Sequence, residues 1–156
     1  MPKDLTQIIS DLVLDWENPK RIVFGRGQTK NLGSILNSYM QLKSAVIVTD
    51  ENIEKAGILE KVNSSANEAG IKTDIFKIPV HEPDMDTANN VANYAHSKSF
   101  DAVIGVGGGS AMDMGKLMAM MKTNPGKPLD YCALPPDALS EKVKNRPVPE
   151  ILIPTT

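Results

Sequence analysis

The sequence predicts an α/β domain whose doubly wound, mostly parallel sheet is flanked by helices, and three observations carry that expectation. Two short runs, Ala45-Val-Ile-Val-Thr49 and Ala102-Val-Ile-Gly105, are continuously apolar, the pattern of strands buried on both faces. Segments with apolar residues at helical spacing alternate with them. Consecutive glycines, Gly107 to Gly109, stand between the second run and a helix. Strand and helix alternating in this way require right-handed crossovers, and hence a parallel sheet.

In chain order, Arg21-Ile-Val-Phe-Gly25 reads as a short strand ended by glycine. Gly25-Arg-Gly27 then turns into a helix from Thr29 to Met40, with Leu32, Ile35, Leu36 and Tyr39 on one face. The run Ala45 to Thr49 closes on Asp50. Ile58 to Ala69 reads as a helix stopped by Gly70, with a strand from Thr73 to Ile78 after it. His81-Glu-Pro-Asp84 is a loop. Ala88, Val91, Ala92, Tyr94 and Ala95 carry a helix from Met85 to Lys98, which leads into the strand at Ala102. Ser110 to Lys122 forms one more helix, in which Met112, Met114, Met118, Met120 and Met121 read as core filling. Asn124 to Pro149 is Pro-rich and polar, a surface excursion rather than a second folded unit. Glu150-Ile-Leu-Ile-Pro154 is the final strand, followed by Thr155 and Thr156. Before Arg21, the spacing of Ile8, Ile9, Leu12 and Val13 suggests a short amphipathic helix.

The 156 residues, 41% hydrophobic and 23% charged, have the composition of one ordinary globular domain. Seventeen Lys and Arg against nineteen Asp and Glu give a net charge of −2 with no basic block, so neither nucleic acid nor a membrane surface is an expected partner. The single thiol, Cys132, excludes a disulfide within the chain and is read as structural. No CxxC or closely spaced Cys/His set offers a structural zinc site. His81 and His96 read as solvated surface groups, with no metal partner at ligand spacing. Cysteine usage and the absence of a leader or an apolar run near the ~20 residues of a spanning helix point to a soluble cytoplasmic protein.

The chemistry concentrates in Asp101-Ala-Val-Ile-Gly-Val-Gly-Gly-Gly-Ser-Ala-Met-Asp-Met-Gly-Lys116. A buried strand running through glycines into a helix places bare backbone N–H groups at the positive end of that helix, which invites phosphate. Side chains at Gly107, Gly108 or Gly109 would restrict φ and hold ligand oxygens away from the amides. Ser110 reads as the N-cap, with Asp113 three residues on as its capping-box partner and Lys116 on the same face as Asp113. A P-loop is excluded, because Gly115-Lys116 has Ser110 where the motif needs glycine and Leu117 where it needs a hydroxyl. The dinucleotide fingerprint is matched only partly by Gly105-Val-Gly-Gly-Gly-Ser110, and Asp130 lies in a polar loop rather than at a strand end. Asp50, at a strand's carboxyl end, is the better reader of an adenosine ribose and would disfavour a 2′-phosphate, so NAD is expected over NADP. Read locally, the same Asp50 is equally a cap for the helix after it.

Gly107-Gly-Gly-Ser-Ala-Met-Asp-Met-Gly-Lys116 resembles the GGGSxxDxxK signature of iron-containing (group III) alcohol dehydrogenases. Phe24-Gly25, Val46 to Asp50, Lys55-Ala-Gly57, Glu82-Pro83, Asp101 and Ile153-Pro-Thr-Thr156 follow in family order, so the resemblance spans about Lys20 to Thr156. It implies the Rossmann-like N-terminal domain of the dehydroquinate synthase-like fold. By position, Gly107, Gly108, Gly109 and Ser110 would hold the cofactor pyrophosphate, Asp50 the ribose, and Thr155 and Thr156 would line the cleft. Asp113 and Lys116 would structure the helix and cleft. Where family members commonly read NPT, this chain has Pro83-Asp84-Met85-Asp86-Thr87.

The resemblance further implies a longer parent, roughly twice as long, in which a helical second domain binds a divalent metal, iron or zinc, that polarises an alcohol oxygen. The 156 residues would then be the dinucleotide-binding domain of an enzyme interconverting alcohols with aldehydes or ketones, inactive without the other half. An uncovered interdomain face would favour self-association into a homo-oligomer. A dehydroquinate synthase-like or glycerol dehydrogenase-like half, and a non-catalytic nucleotide-binding or interaction module, stand as alternatives.

Overall fold

The structure, a computed structural model, describes residues 21–132 and 143–155. A 3-10 turn, Gln28–Asn31, leads into α1 (Leu32–Tyr39). Then follow β1 (Ser44–Asp50), α2 (Glu51–Lys55), α3 (Ile58–Glu68), β2 (Lys72–Ile78), α4 (Met85–Ser97), β3 (Ala102–Gly107) and α5 (Gly109–Thr123). A second 3-10 turn, Pro128–Tyr131, precedes β4 (Glu150–Pro154).

The four strands form one sheet in the order β2-β1-β3-β4, every pairing parallel. β1 and β3 lie in the middle, which explains their unbroken apolar composition. Alternate residues of each feed two separate cores. Ala45, Ile47, Ile104 and Val106 pack with Leu32, Leu36, Leu59 and Val62 of α1 and α3. Val46, Val48 and Val103 pack on the opposite face with Val91, Ala95, Met118 and Met121 of α4 and α5. Helices therefore cover both faces; Met118 and Met121 are buried as expected of core filling, Met114 and Met120 pack half-buried against the same core, and Met112 is half-buried and belongs to neither core.

The chain leaves β1 in one direction to reach β2 and returns to lay β3 on β1's other side. That reversal opens a crevice beyond the carboxyl ends of β1 and β3, the usual ligand position in such sheets. Glycine lets α5 close on the sheet: a Cβ on Gly115 would sit 3.3 Å from the Gly105 Cα, and one on Gly105 would sit 3.3 Å from the Ala111 carbonyl oxygen.

The expected strand Arg21 to Gly25 does not form. The segment carries no strand pairing among the described residues, and Phe24 is 99% exposed. Ile22, Val23 and Phe24 are exposed and find no packing among the described residues, and β preference is mostly such packing. Cys132 is exposed at the end of the second 3-10 turn, not a structural core residue. The polar excursion is tied at its ends by Asn124, which is buried to 1% exposure. Its side-chain amide donates to the Asn145 carbonyl (2.9 Å) and its Oδ1 accepts from the Asn145 amide (3.0 Å). The helix expected before Arg21 lies outside the described residues, as do 133–142 and Thr156.

Candidate functional site: the turn after β3

β3 ends on Gly107, whose φ of +149° is a conformation that side chains rarely adopt. A Cβ there would also meet the Ala111 Cβ at 2.7 Å and lie 3.4 Å from Asp50 Oδ2. Gly107 is thus required by the fold, and it brings the Asp50 carboxylate beside the turn. Gly108 and Gly109 are different. A Cβ on either would touch nothing within 4 Å, and both have ordinary negative φ. Nothing in the protein's own packing demands glycine at these two positions.

α5 begins at Gly109 with Gly108 as its N-cap, and no side chain caps it. Ser110 is therefore not the cap but the second helical residue, and Asp113 completes no capping box. Asp113 instead pairs with Lys116 at 3.0 Å on the exposed face, as the spacing of the two suggests. Met112 donates to the Gly108 carbonyl (3.1 Å), whereas the amides of Gly109, Ser110 and Ala111 find no carbonyl or side-chain acceptor among the described residues. First-turn amides have no partner within a helix, so these donors face outward at its positive end.

Two further elements reach the same edge. The Thr155 amide donates to the Gly107 carbonyl (2.9 Å), tying the residue after β4 to the glycine turn. Asp50, at the end of β1, caps α2: its Oδ1 accepts from the amides of Asn52 (2.8 Å) and Ile53 (3.2 Å). The capping role of Asp50 is thus realised, and it leaves Oδ2 directed at Gly107. The fold assembles Asp50, Gly107, Gly108, Gly109, Ser110 and Thr155 on one rim. Asp113 stands apart on the outer face of α5.

Some features escaped the sequence. Gly105 and Gly115 provide the close helix-to-strand packing that the partial fingerprint would have placed at residue 110. The Thr49 hydroxyl, one residue before Asp50, is buried without a hydrogen-bond partner. Asp84 caps α4, its Oδ1 accepting from the Thr87 amide (2.8 Å) and hydroxyl (2.7 Å); these bonds hold its carboxyl below the usual carboxylate range. Asp130 accepts from the Lys127 amide in a turn remote from any strand end. His81 is exposed and bonded to the Glu82 carbonyl, and His96, also exposed, contacts the Asn124 carbonyl at 3.2 Å. A polar groove of about 400 Å³ between α1 and α3, lined by Lys30, Ser34, Asn37, Ser65 and Glu68 among others, lies away from this rim. Among the described residues no three His, Cys, Asp or Glu side chains converge to hold a metal ion, and no helix is long and apolar enough to cross a membrane.

The family model for iron-containing alcohol dehydrogenases matches residues 19–156, nearly the whole chain. The chain belongs to that family. It is 36% identical over 114 residues to long-chain-alcohol dehydrogenase 1 of Geobacillus thermodenitrificans, a match covering 73% of this chain and 28% of the relative. The crystal structure of a 1,3-propanediol oxidoreductase superposes with a TM-score of 0.78 at 26% identity, covering 93% of this chain and 36% of that one. An NADH-dependent butanol dehydrogenase A from Thermotoga maritima superposes with a TM-score of 0.68 at 26% identity, covering 76% and 30%. The chain spans about a third of the relatives it matches, less than the half expected. The doubly wound parallel sheet is the family's fold.

Proposed function

We propose that this chain is the dinucleotide-binding domain of a metal-dependent alcohol dehydrogenase that moves hydride between an alcohol and NAD. The observation that supports it most directly is the pair Gly108 and Gly109, glycines that the fold does not need, set beside amides without acceptors. A diphosphate resting there would replace water on the amides of Gly109, Ser110 and Ala111, with the helix end favouring its charge. Oδ2 of Asp50 would accept from ribose hydroxyls, Oδ1 being engaged in its cap, and would repel a 2′-phosphate. Thr155 and Thr156 would border the same cleft. When bound, the nicotinamide supplies the hydride acceptor, and the protein's task is to hold it in place.

The described residues do not provide the metal site that the family's name implies, so no step is assigned to a metal in this chain. The expected behaviour of the isolated chain is cofactor binding without oxidation of alcohols. Titration calorimetry with ADP-ribose, NADH and NADPH tests the proposal. Saturable binding of the first two, with NADPH clearly weaker, is the expected result. Failure of ADP-ribose to bind would refute it and favour an interaction module.

A further inference from the structure

The rim contains one hydrogen bond whose direction fixes more than the strand it ends. The Gly107 carbonyl accepts from the Thr155 amide, and so points within the sheet toward β4. A trans peptide carries its C=O and N–H on opposite sides. The N–H of Gly108, on the same peptide, must therefore point away from β4, toward the end of β1 where Asp50 stands. It makes no backbone hydrogen bond among the described residues. Gly107 gives this peptide unusual freedom, because glycine reaches either sign of φ without a side-chain clash. Without an external anchor, the carbonyl could rotate into the crevice and present a partial negative charge to the phosphate.

We infer that the Thr155 backbone amide is a positioning element for the cofactor, holding the Gly107–Gly108 peptide so that the Gly108 N–H joins those of Gly109 and Ser110 in facing the diphosphate. The inference rests on the dinucleotide-binding reading above. It assigns to Thr155 a role in its main chain, where any residue but proline would serve, rather than in its hydroxyl.

Two substitutions separate main chain from side chain. Thr155→Ala keeps the N–H, whereas Thr155→Pro removes it. The fold should accept the proline, because Pro154 before it already lies in extended strand conformation, as a residue preceding proline prefers. ADP-ribose affinity of Thr155→Pro should fall about tenfold or more below that of Thr155→Ala, with similar melting temperatures. Equal affinity of the proline variant and wild type would overturn the inference, as would an equal loss in both variants.

Amide hydrogen exchange on the unliganded wild type supplies a second measurement, independent of whether the proline variant folds. The Thr155 amide should be protected and the Gly108 amide fast; comparable rates at the two would overturn the inference. A wild type that fails to bind ADP-ribose while showing the expected exchange pattern would refute the cofactor reading but leave the peptide orientation standing.

Discussion

Two strand-to-helix turns lie side by side at the carboxyl edge of the sheet and handle their exposed amides in opposite ways. After β1, Asp50 folds its own carboxylate back onto the Asn52 and Ile53 amides. After β3, Gly108 has no side chain to offer, and the first-turn amides of α5 remain open. α4 follows the first pattern, with Asp84 as its cap. α1 and α3 also lack a side-chain cap, but each continues from a helical turn; of the three helices that follow a strand, two are capped by aspartate and α5 is not. On the proposed reading, α5 keeps its donors for the diphosphate.

The largest effect should come from the one glycine that the fold itself requires. Gly107→Ala would place a Cβ 2.7 Å from the Ala111 Cβ at a φ of +149°, and should lower stability on the order of 2–4 kcal/mol by denaturant unfolding. A loss under about 0.5 kcal/mol would show that the turn repacks freely. Gly108→Val should do the reverse. With open space around its Cβ, folding stability should remain within about 1 kcal/mol of wild type, while ADP-ribose affinity falls about tenfold or more. Unchanged affinity would reduce the glycine run to a turn.

Asp50 allows a finer division. Asp50→Ala removes the cap and should cost about 1 kcal/mol. Asp50→Asn retains an acceptor for Asn52 and Ile53 but loses the charge, so stability should hold while discrimination between NADH and NADPH narrows. If calorimetry finds the ratio of affinities unchanged in Asp50→Asn, the carboxylate is a cap and nothing more.

The smallest effect concerns pH. The bond from the Thr87 amide keeps Asp84 below its ordinary pKa, and those from the Lys43 and Ser44 amides do the same for Asp101. Carboxylates lowered by folding stabilise the native state above their unfolded pKa, and that stabilisation is lost as pH falls through the folded value. Unfolding midpoints should therefore drop below about pH 4, and the drop should be shallower in Asp101→Asn.

The central strands were legible because β1 and β3 are buried on both faces, so that residue type alone reveals them. Arg21 to Gly25 has similar residue types but lacks a partner strand among the described residues, and local composition does not record partners. Ser110 was misplaced as a cap because serine usually takes that position. The extended conformation of Gly108 (φ −75°, ψ −170°) makes it the cap instead, two residues sooner. The convergence of Asp50, Gly107 and Thr155 depends on strand order, which the alternation of elements implied only in outline. Asn124 could not have been found from spacing, since its partner Asn145 lies 21 residues away and the two meet only after the chain returns.

The clasp between Asn124 and Asn145 closes the polar excursion at the end of α5 farthest from the glycine turn. With Asn145 also donating to the Thr123 carbonyl, the points where the chain leaves and rejoins the body are held together at that one end of α5, so a change of length between them need not reach the glycine turn. Evolution could remodel that far side freely, so variation there should report on what the protein meets rather than on which nucleotide it holds.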